Sequence, residues 1–177
     1  MRFGRQTIDT PLADSDDIRM ISNSFEAYVA NYKIENFSLM AGYLNRWQGH
    51  DAGIDNGWVK MGKSGVSFIG LNYFSKAFDT SLWYYNILNQ NNSLYMDFNR
   101  HFKLQDGIAF HFSGQYLKQN EFNDSGIEAN IYGAMAQVDV SSVSFLLAYN
   151  FATKKKQSFS GFGGGVLYTK YGCNDIR

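Results

Sequence analysis

The chain has 177 residues, no formal net charge at pH 7, and 17% aromatic residues. Neutral charge argues against nucleic acid as a partner, because the phosphate backbone selects positively charged surfaces. A single cysteine, Cys173, excludes a disulfide within the chain and a zinc site built from thiolates. No stretch approaches the roughly 18 consecutive apolar residues of a membrane helix, whereas abundant Phe, Tyr and Trp favour β-structure.

Apolar and polar residues alternate with a period of two along much of the chain, which predicts β-strands. Ile108, Phe110 and Phe112 share one face of a segment whose other face carries His111 and Gln115. The predicted strands, some less regular than others and the first and last partial, are 1–7, 24–33, 37–47, 64–74, 79–89, 93–101, 107–117, 128–139, 143–151 and 165–171. About ten antiparallel strands are therefore expected, with no helix.

The connections between these strands alternate between short and long. The short ones are 33–36, 75–78, 104–106 and 140–142, and the long ones are 8–24, 48–63, 117–127 and 152–165. The short link 89–92 is the exception, since the alternation of short and long connections predicts a long one at that position. Short turns at one rim and long loops at the other are typical of outer-membrane barrels. The strand lengths also favour a membrane, because about 9–11 residues span a bilayer while soluble strands average roughly 5–6.

In such a barrel, the two faces of each strand lie in different environments. In a barrel wide enough for water, the apolar face meets lipid and the polar face lines the lumen. By this alternation Arg46 falls on the polar face of 37–47. The other residues expected to face the lumen are Asp97, Asn99, His111 and Gln115.

Residues 2–28 contain a series of specific motifs. They are Arg2-Phe3-Gly4-Arg5-Gln6, Asp9-Thr10-Pro11-Leu12, Ser15-Asp16-Asp17-Ile18-Arg19-Met20 and Asn23-Ser24-Phe25-Glu26-Ala27-Tyr28. This series resembles the OprD-type outer-membrane porin family, in particular its epsilonproteobacterial branch. Ala41-Gly42-Tyr43 before Arg46-Trp47, and the glycine-rich stretch 161–165, agree with it. One departure is Ser22, where the family often has proline before the asparagine.

The resemblance implies a barrel of about 16–18 strands around an aqueous channel, of which this chain would supply a little over half. Met1 is followed by Arg-Phe-Gly-Arg without the apolar segment of a signal peptide. We therefore expect an internal piece of a longer protein, forming one partial barrel domain over 1–177. The resemblance also implies that the loop at about 8–24 folds inward and narrows the pore.

Acidic residues dominate that loop, and the family sets such a side against basic residues on the wall. Opposite charges on opposite walls give a transverse field that orients charged solutes, and arginine suits the basic wall because its planar fork holds carboxylates. The predicted constriction residues are Asp9, Asp14, Ser15, Asp16, Asp17 and Arg19, and the predicted basic pore wall comprises Arg2, Arg5 and Arg46. The alternative is that the acidic run is a solvated extracellular loop.

The sequence has none of the serine-hydrolase, zinc-protease, P-loop or Rossmann motifs that we sought, so we expect no enzyme, cofactor or metal. The resemblance implies a porin for passive, charge- and size-selective diffusion of amino acids, small peptides or carboxylates. Its expected partners are outer-membrane lipid and these solutes, with the porin a monomer or homotrimer in the bacterial outer membrane. The alternatives are a barrel acting as a surface antigen or adhesin, and a soluble β-sandwich binding module.

Overall fold

The computed structural model describes residues 1–15, 22–49, 52, 57–105, 107–153, 155–163 and 165–168. Its strands, in chain order, are β1 (Arg2–Gln6), β2 (Asp9–Thr10), β3 (Ala13–Asp14), β4 (Ser24–Ile34), β5 (Phe37–Gln48), β6 (Val59–Lys60), β7 (Val66–Phe74), β8 (Phe78–Ile87), β9 (Asn91–Gln105), β10 (Ile108–Glu121), β11 (Ala129–Val140) and β12 (Val143–Thr153). No helix among these residues is long and apolar enough to cross a membrane.

Ten of these strands form one sheet in which neighbours are antiparallel. The order is β1-β4-β5-β7-β8-β9-β10-β11-β12, with the short β6 beside β5, and β2 and β3 form a separate hairpin. No ladder among the described residues joins β1 to β12, so the sheet has two open edges. The expectation of an all-β, antiparallel sheet of about ten strands is confirmed. The last predicted strand, 165–171, lies partly outside the described residues, and its described part forms no ladder.

The connections differ in length at the two ends of the sheet. Turns of two or three residues join β4 to β5, β7 to β8, β9 to β10 and β11 to β12 at one rim. Glu35 and Ser141 adopt positive φ in two of these turns, as tight hairpins require. Longer segments lie at the other rim, with the link between β8 and β9 the expected short exception.

One face of the sheet is apolar and exposed across eight neighbouring strands. One residue from each of these strands is the cross-strand partner of the next, and together they form one continuous row: Tyr32, Leu39, Leu71, Leu82, Met96, Tyr116, Tyr132 and Phe151. A contiguous apolar surface of this extent is not stable in water and belongs in lipid. We call this the outward face, and the opposite one the inward face.

A β-bulge changes the alternation near the end of β5. Ala27 pairs with Leu44, but Glu26 pairs with Arg46, so Asn45 is an extra residue on β5. The inserted residue reverses the faces beyond it. Trp47 therefore points inward and is buried, and Arg46 points outward.

Two glycines on the inward face make room for aromatic rings. A Cβ at Gly42 would overlap Phe68, and one at Gly70 would overlap the indole of Trp83, which is its cross-strand partner. The Trp83 indole also donates to Asn72 Oδ1 at 3.1 Å. These rings lie flat against the wall because their neighbours have no side chain.

We expect Gly70→Ala to displace the Trp83 indole, because its Cβ would overlap the ring, and to destabilise the whole porin by about 1–3 kcal/mol, as overpacking does. Urea unfolding of the reconstituted porin measures this. Gly114→Ala is the matched control, because a Cβ there meets only the Gly133 carbonyl at 4.0 Å. Equal stability of the two variants would contradict the packing described here.

Candidate functional site

The segment that follows β1 folds into a compact hairpin, residues 8–15. Asp9 pairs with Asp14 across β2 and β3. The Ile8 amide donates to Ser15 Oγ at 2.9 Å, and the Ser15 amide donates to the Ile8 carbonyl at 2.8 Å. Thr10 Oγ1 donates to the Ala13 carbonyl at 2.9 Å. These bonds close the hairpin on itself, so it can pack as one unit.

The hairpin lies against the inward face of the sheet. Ile8 and Leu12 are almost fully buried, in one apolar cluster with Phe25 and Tyr85. The Leu12 amide donates to the Tyr85 hydroxyl at 3.4 Å. Asp9, Asp14 and Ser15 of the predicted constriction loop therefore belong to a hairpin that packs on the inward face of the sheet. Asp16, Asp17 and Arg19 lie outside the described residues.

A second segment, 155–163, pairs with the edge of the hairpin at Ala13, and we call it the strap. After β12 it is held beside β11, where Lys155 Nζ contacts Glu128 Oε1 at 2.7 Å. This ammonium group lowers the pKa of the Glu128 carboxyl. Further along, the Gln119 side chain exchanges two hydrogen bonds with the Phe159 backbone, both 2.9 Å.

The strap ends on the hairpin itself. The Phe162 amide donates to the Leu12 carbonyl at 2.8 Å, and the Asp14 amide donates to the Phe162 carbonyl at 3.0 Å. The Phe162 ring packs edge-on against Trp47, with 5.5 Å between ring centroids. The hairpin is thus held between Tyr85 on the wall and Phe162 on the strap.

An open cavity of about 480 Å³ lies beside the hairpin, between it and the wall. Asp9 and Asp14 line it from the hairpin, and Asp79 and Asp97 line it from β8 and β9. Ser81 Oγ donates to Asp97 Oδ2 at 2.5 Å, and Asn99 Nδ2 donates to Asp97 Oδ1 at 3.2 Å. The described lining contains four carboxylates and no lysine or arginine, so its charge is negative.

Two histidines continue the polar lining toward the rim of short turns. His101 and His111 are cross-strand partners, and their Nδ1 atoms are 3.1 Å apart. His101 Nε2 is 3.6 Å from Asp79 Oδ2, and His111 Nε2 is 2.9 Å from Asp139 Oδ2. Four side chains on four neighbouring strands therefore form one row on the inward face.

The remaining residues expected to face the lumen also lie on the inward face. Asp97 and Asn99 are on β9 beside the cavity. Gln115 is buried, and its amide contacts the Tyr95 hydroxyl on the neighbouring β9 and Asn150 Oδ1 on β12, two strands away. Buried polar side chains of this kind are stable because each finds a hydrogen-bond partner.

The expected basic wall is not assembled in the described residues. Arg2 pairs with Val29, whose side chain is buried on the inward face, so the register places Arg2 there. Arg5 pairs with Glu26 on the outward face, and its guanidinium stacks on Trp58 at 4.7 Å. Arg46 also lies outward because of the bulge at Asn45. A single inserted residue leaves no mark in the alternation, so the sequence alone did not reveal this reversal.

Sequence reasoning also missed four side chains that form the site. Tyr85 and Phe162 hold the hairpin, and Asp79 and Trp83 line the cavity. Tyr85 and Trp83 share one face of β8 at period two, and that spacing was the available signal. Nothing local to Phe162 indicates that it returns across the sheet to residue 12.

An antiparallel sheet with an apolar outward face, a polar inward face and a hairpin packed inside it defines the wall of a transmembrane β-barrel channel. The family model described as outer membrane porin, OprD family, matches residues 1–174, so the chain belongs to the OprD family of outer-membrane porins. Members of this family are porins of the Gram-negative outer membrane. The predicted location in the outer membrane and the prediction of a channel rather than an enzyme are therefore confirmed.

Solved porins share the fold. The chain superimposes on Pseudomonas aeruginosa OccK3 (OpdO) with a TM-score of 0.83 and 14% identity, covering 98% of this chain and 49% of that one. It superimposes on P. aeruginosa OccD3 (OpdP) with a TM-score of 0.75 and 19% identity, covering 85% of this chain and 40% of that one. On Acinetobacter baumannii OccAB2 the TM-score is 0.74 and the identity 16%, and the match covers 96% of this chain and 47% of that one. The chain thus spans less than half of each barrel, and no curated protein sequence matches it.

We expect Tyr85→Phe in the whole porin to loosen the hairpin, because it leaves the buried Leu12 amide without its acceptor, at a cost of about 1–3 kcal/mol. Recordings of single channels in planar bilayers should show larger fluctuations of the open-channel current. Tyr84→Phe on the outward face is the matched control. Unchanged current fluctuations in Tyr85→Phe would contradict the anchoring role.

Proposed function

We propose that the whole porin allows passive diffusion of small hydrophilic solutes and selects them by size and charge where the 8–15 hairpin narrows the lumen. The supporting observation is the hairpin held between Tyr85 and Phe162 above an open, polar cavity. A fixed obstacle in a water-filled barrel limits the size of solutes. Charged side chains around it bias which ions pass.

Within this function, the described lining favours solutes that carry a positive charge. Asp9, Asp14, Asp79 and Asp97 surround the cavity, while Arg2 is the only residue of the expected basic wall on the inward face. A cleft lined by one sign of charge raises the local concentration of the opposite sign. Amino acids and small peptides bearing an amino group fit this lining better than carboxylates do.

The alternatives have less support. A soluble β-sandwich would have to expose to water the apolar row that crosses eight strands. A barrel serving mainly as a surface antigen or adhesin needs no open lumen, whereas the cavity beside the hairpin is open. Outer-membrane lipid and small solutes are the partners that this function implies. Monomer or homotrimer stays a prediction.

Asp97→Asn in the whole porin should lower the cation-to-anion permeability ratio by about twofold, since it removes one charge from the lining. The reversal potential in a KCl gradient measures this ratio. Asp124→Asn, on an exposed loop, is the matched control and should leave the ratio unchanged.

Arg5→Ala should also leave the ratio unchanged, because Arg5 lies on the outward face. A fall in selectivity of the same size in all three variants would contradict the proposed role of the cavity. A ratio unaffected by Asp97→Asn would contradict it as well.

A further inference from the structure

Four charged residues form one row across the outward face. The register pairs Arg5 on β1 with Glu26 on β4, Glu26 with Arg46 on β5, and Arg46 with Lys60 on β6. Paired residues on adjacent strands lie side by side on the same face. The row therefore combines three cations with one carboxylate, and we call it the rim row.

The depth of the rim row follows from its neighbours. On its strands it lies at the ends that lead into the segments 7–23 and 49–58, which is the rim of long connections. One step further along the outward face are Phe3 and Tyr28, which are 81% and 57% exposed. The rim row thus marks the boundary between lipid-facing aromatics and the extracellular segments, where lipid headgroups lie.

The contacts of the rim row leave its cations available. The Glu26 carboxylate accepts a hydrogen bond from Asn45 Nδ2 at 3.0 Å. Arg5 is held by the Trp58 ring at 4.7 Å, and an aromatic ring leaves the guanidinium edge open to acceptors. Arg46 and Lys60 are exposed, and no ion pair to either is found among the described residues.

We propose that the rim row binds a phosphate group of an outer-leaflet lipid headgroup. Arginine forks hold phosphate oxygens with two parallel hydrogen bonds, and basic side chains at headgroup depth attract anionic lipids. The row faces away from the lumen, so a permeating solute does not reach it. The bulge at Asn45 creates the site, because Arg46 would face inward without it. The proposal depends on the outer-membrane setting of the family and not on the transported solute.

The test compares binding of two lipids to the whole porin in detergent. The probes are diphosphorylated lipid A and the same lipid after removal of both phosphates, and bound copies are counted by native mass spectrometry. The phosphorylated probe should bind the unmodified porin about ten- to a hundredfold more tightly. The rim-row variant, a triple variant with Arg5→Gln, Arg46→Gln and Lys60→Gln, should lose that preference.

A charge-matched control carries Lys76→Gln, Arg100→Gln and Lys103→Gln, three cations at the other rim, and should keep the preference. Arg46→Lys keeps the charge without the planar fork and should retain part of the preference, so a folding defect in the triple variant does not leave the proposal untested. The proposal is overturned if the unmodified porin does not discriminate between the probes, or if the rim-row variant still does. Binding of inorganic phosphate to the unmodified porin that depends on the three rim-row cations, with no binding of phosphorylated lipid A, would assign the site to a free anion and overturn the lipid assignment.

Discussion

The hydrogen bonds that attach the 8–15 hairpin to both the sheet and the strap determine how the rest of this wall can function. Tyr85 meets the Leu12 amide from the sheet, and Phe162 bonds to Leu12 and Asp14 from the strap. With both attachments, the hairpin places Asp9 and Asp14 opposite Asp79 and Asp97 and leaves an open cavity between them. The position of the cavity and the sign of its charge both follow from that anchoring.

The anchoring depends in turn on the wall beneath it. Gly42 and Gly70 allow the Phe68 and Trp83 rings to lie flat, and these rings share one apolar cluster with Tyr85 and Leu12. This arrangement places an apolar core inside a barrel wall whose outward face is also apolar. Polar side chains on the inward face lie beside this core, in the cavity, in the histidine row and around the buried Gln115 and Gln119.

Period-two alternation and the sorting of loop lengths sufficed to predict the strands and the two faces, because both are properties of local sequence. They also placed Asp97, Asn99, His111 and Gln115 on the inward face. They failed for Arg46, where one bulged residue reverses the face. The expectation for Arg5 came from the family resemblance instead, and the register pairs Arg5 with Glu26 on the outward face. The contact of Phe162 with Leu12 joins residues far apart in sequence, so no local pattern could have indicated it.

The most direct test of this account is the size exclusion of single channels of the whole porin after residues 9–14 are replaced by a glycine-serine linker of equal length. Conductance in the presence of polyethylene glycols of increasing size reports the narrowest part of the lumen. If the hairpin is the constriction, the replacement admits larger polymers and raises the conductance. An unchanged polymer cutoff and an unchanged conductance would show that the lumen is narrowed elsewhere and would contradict the account.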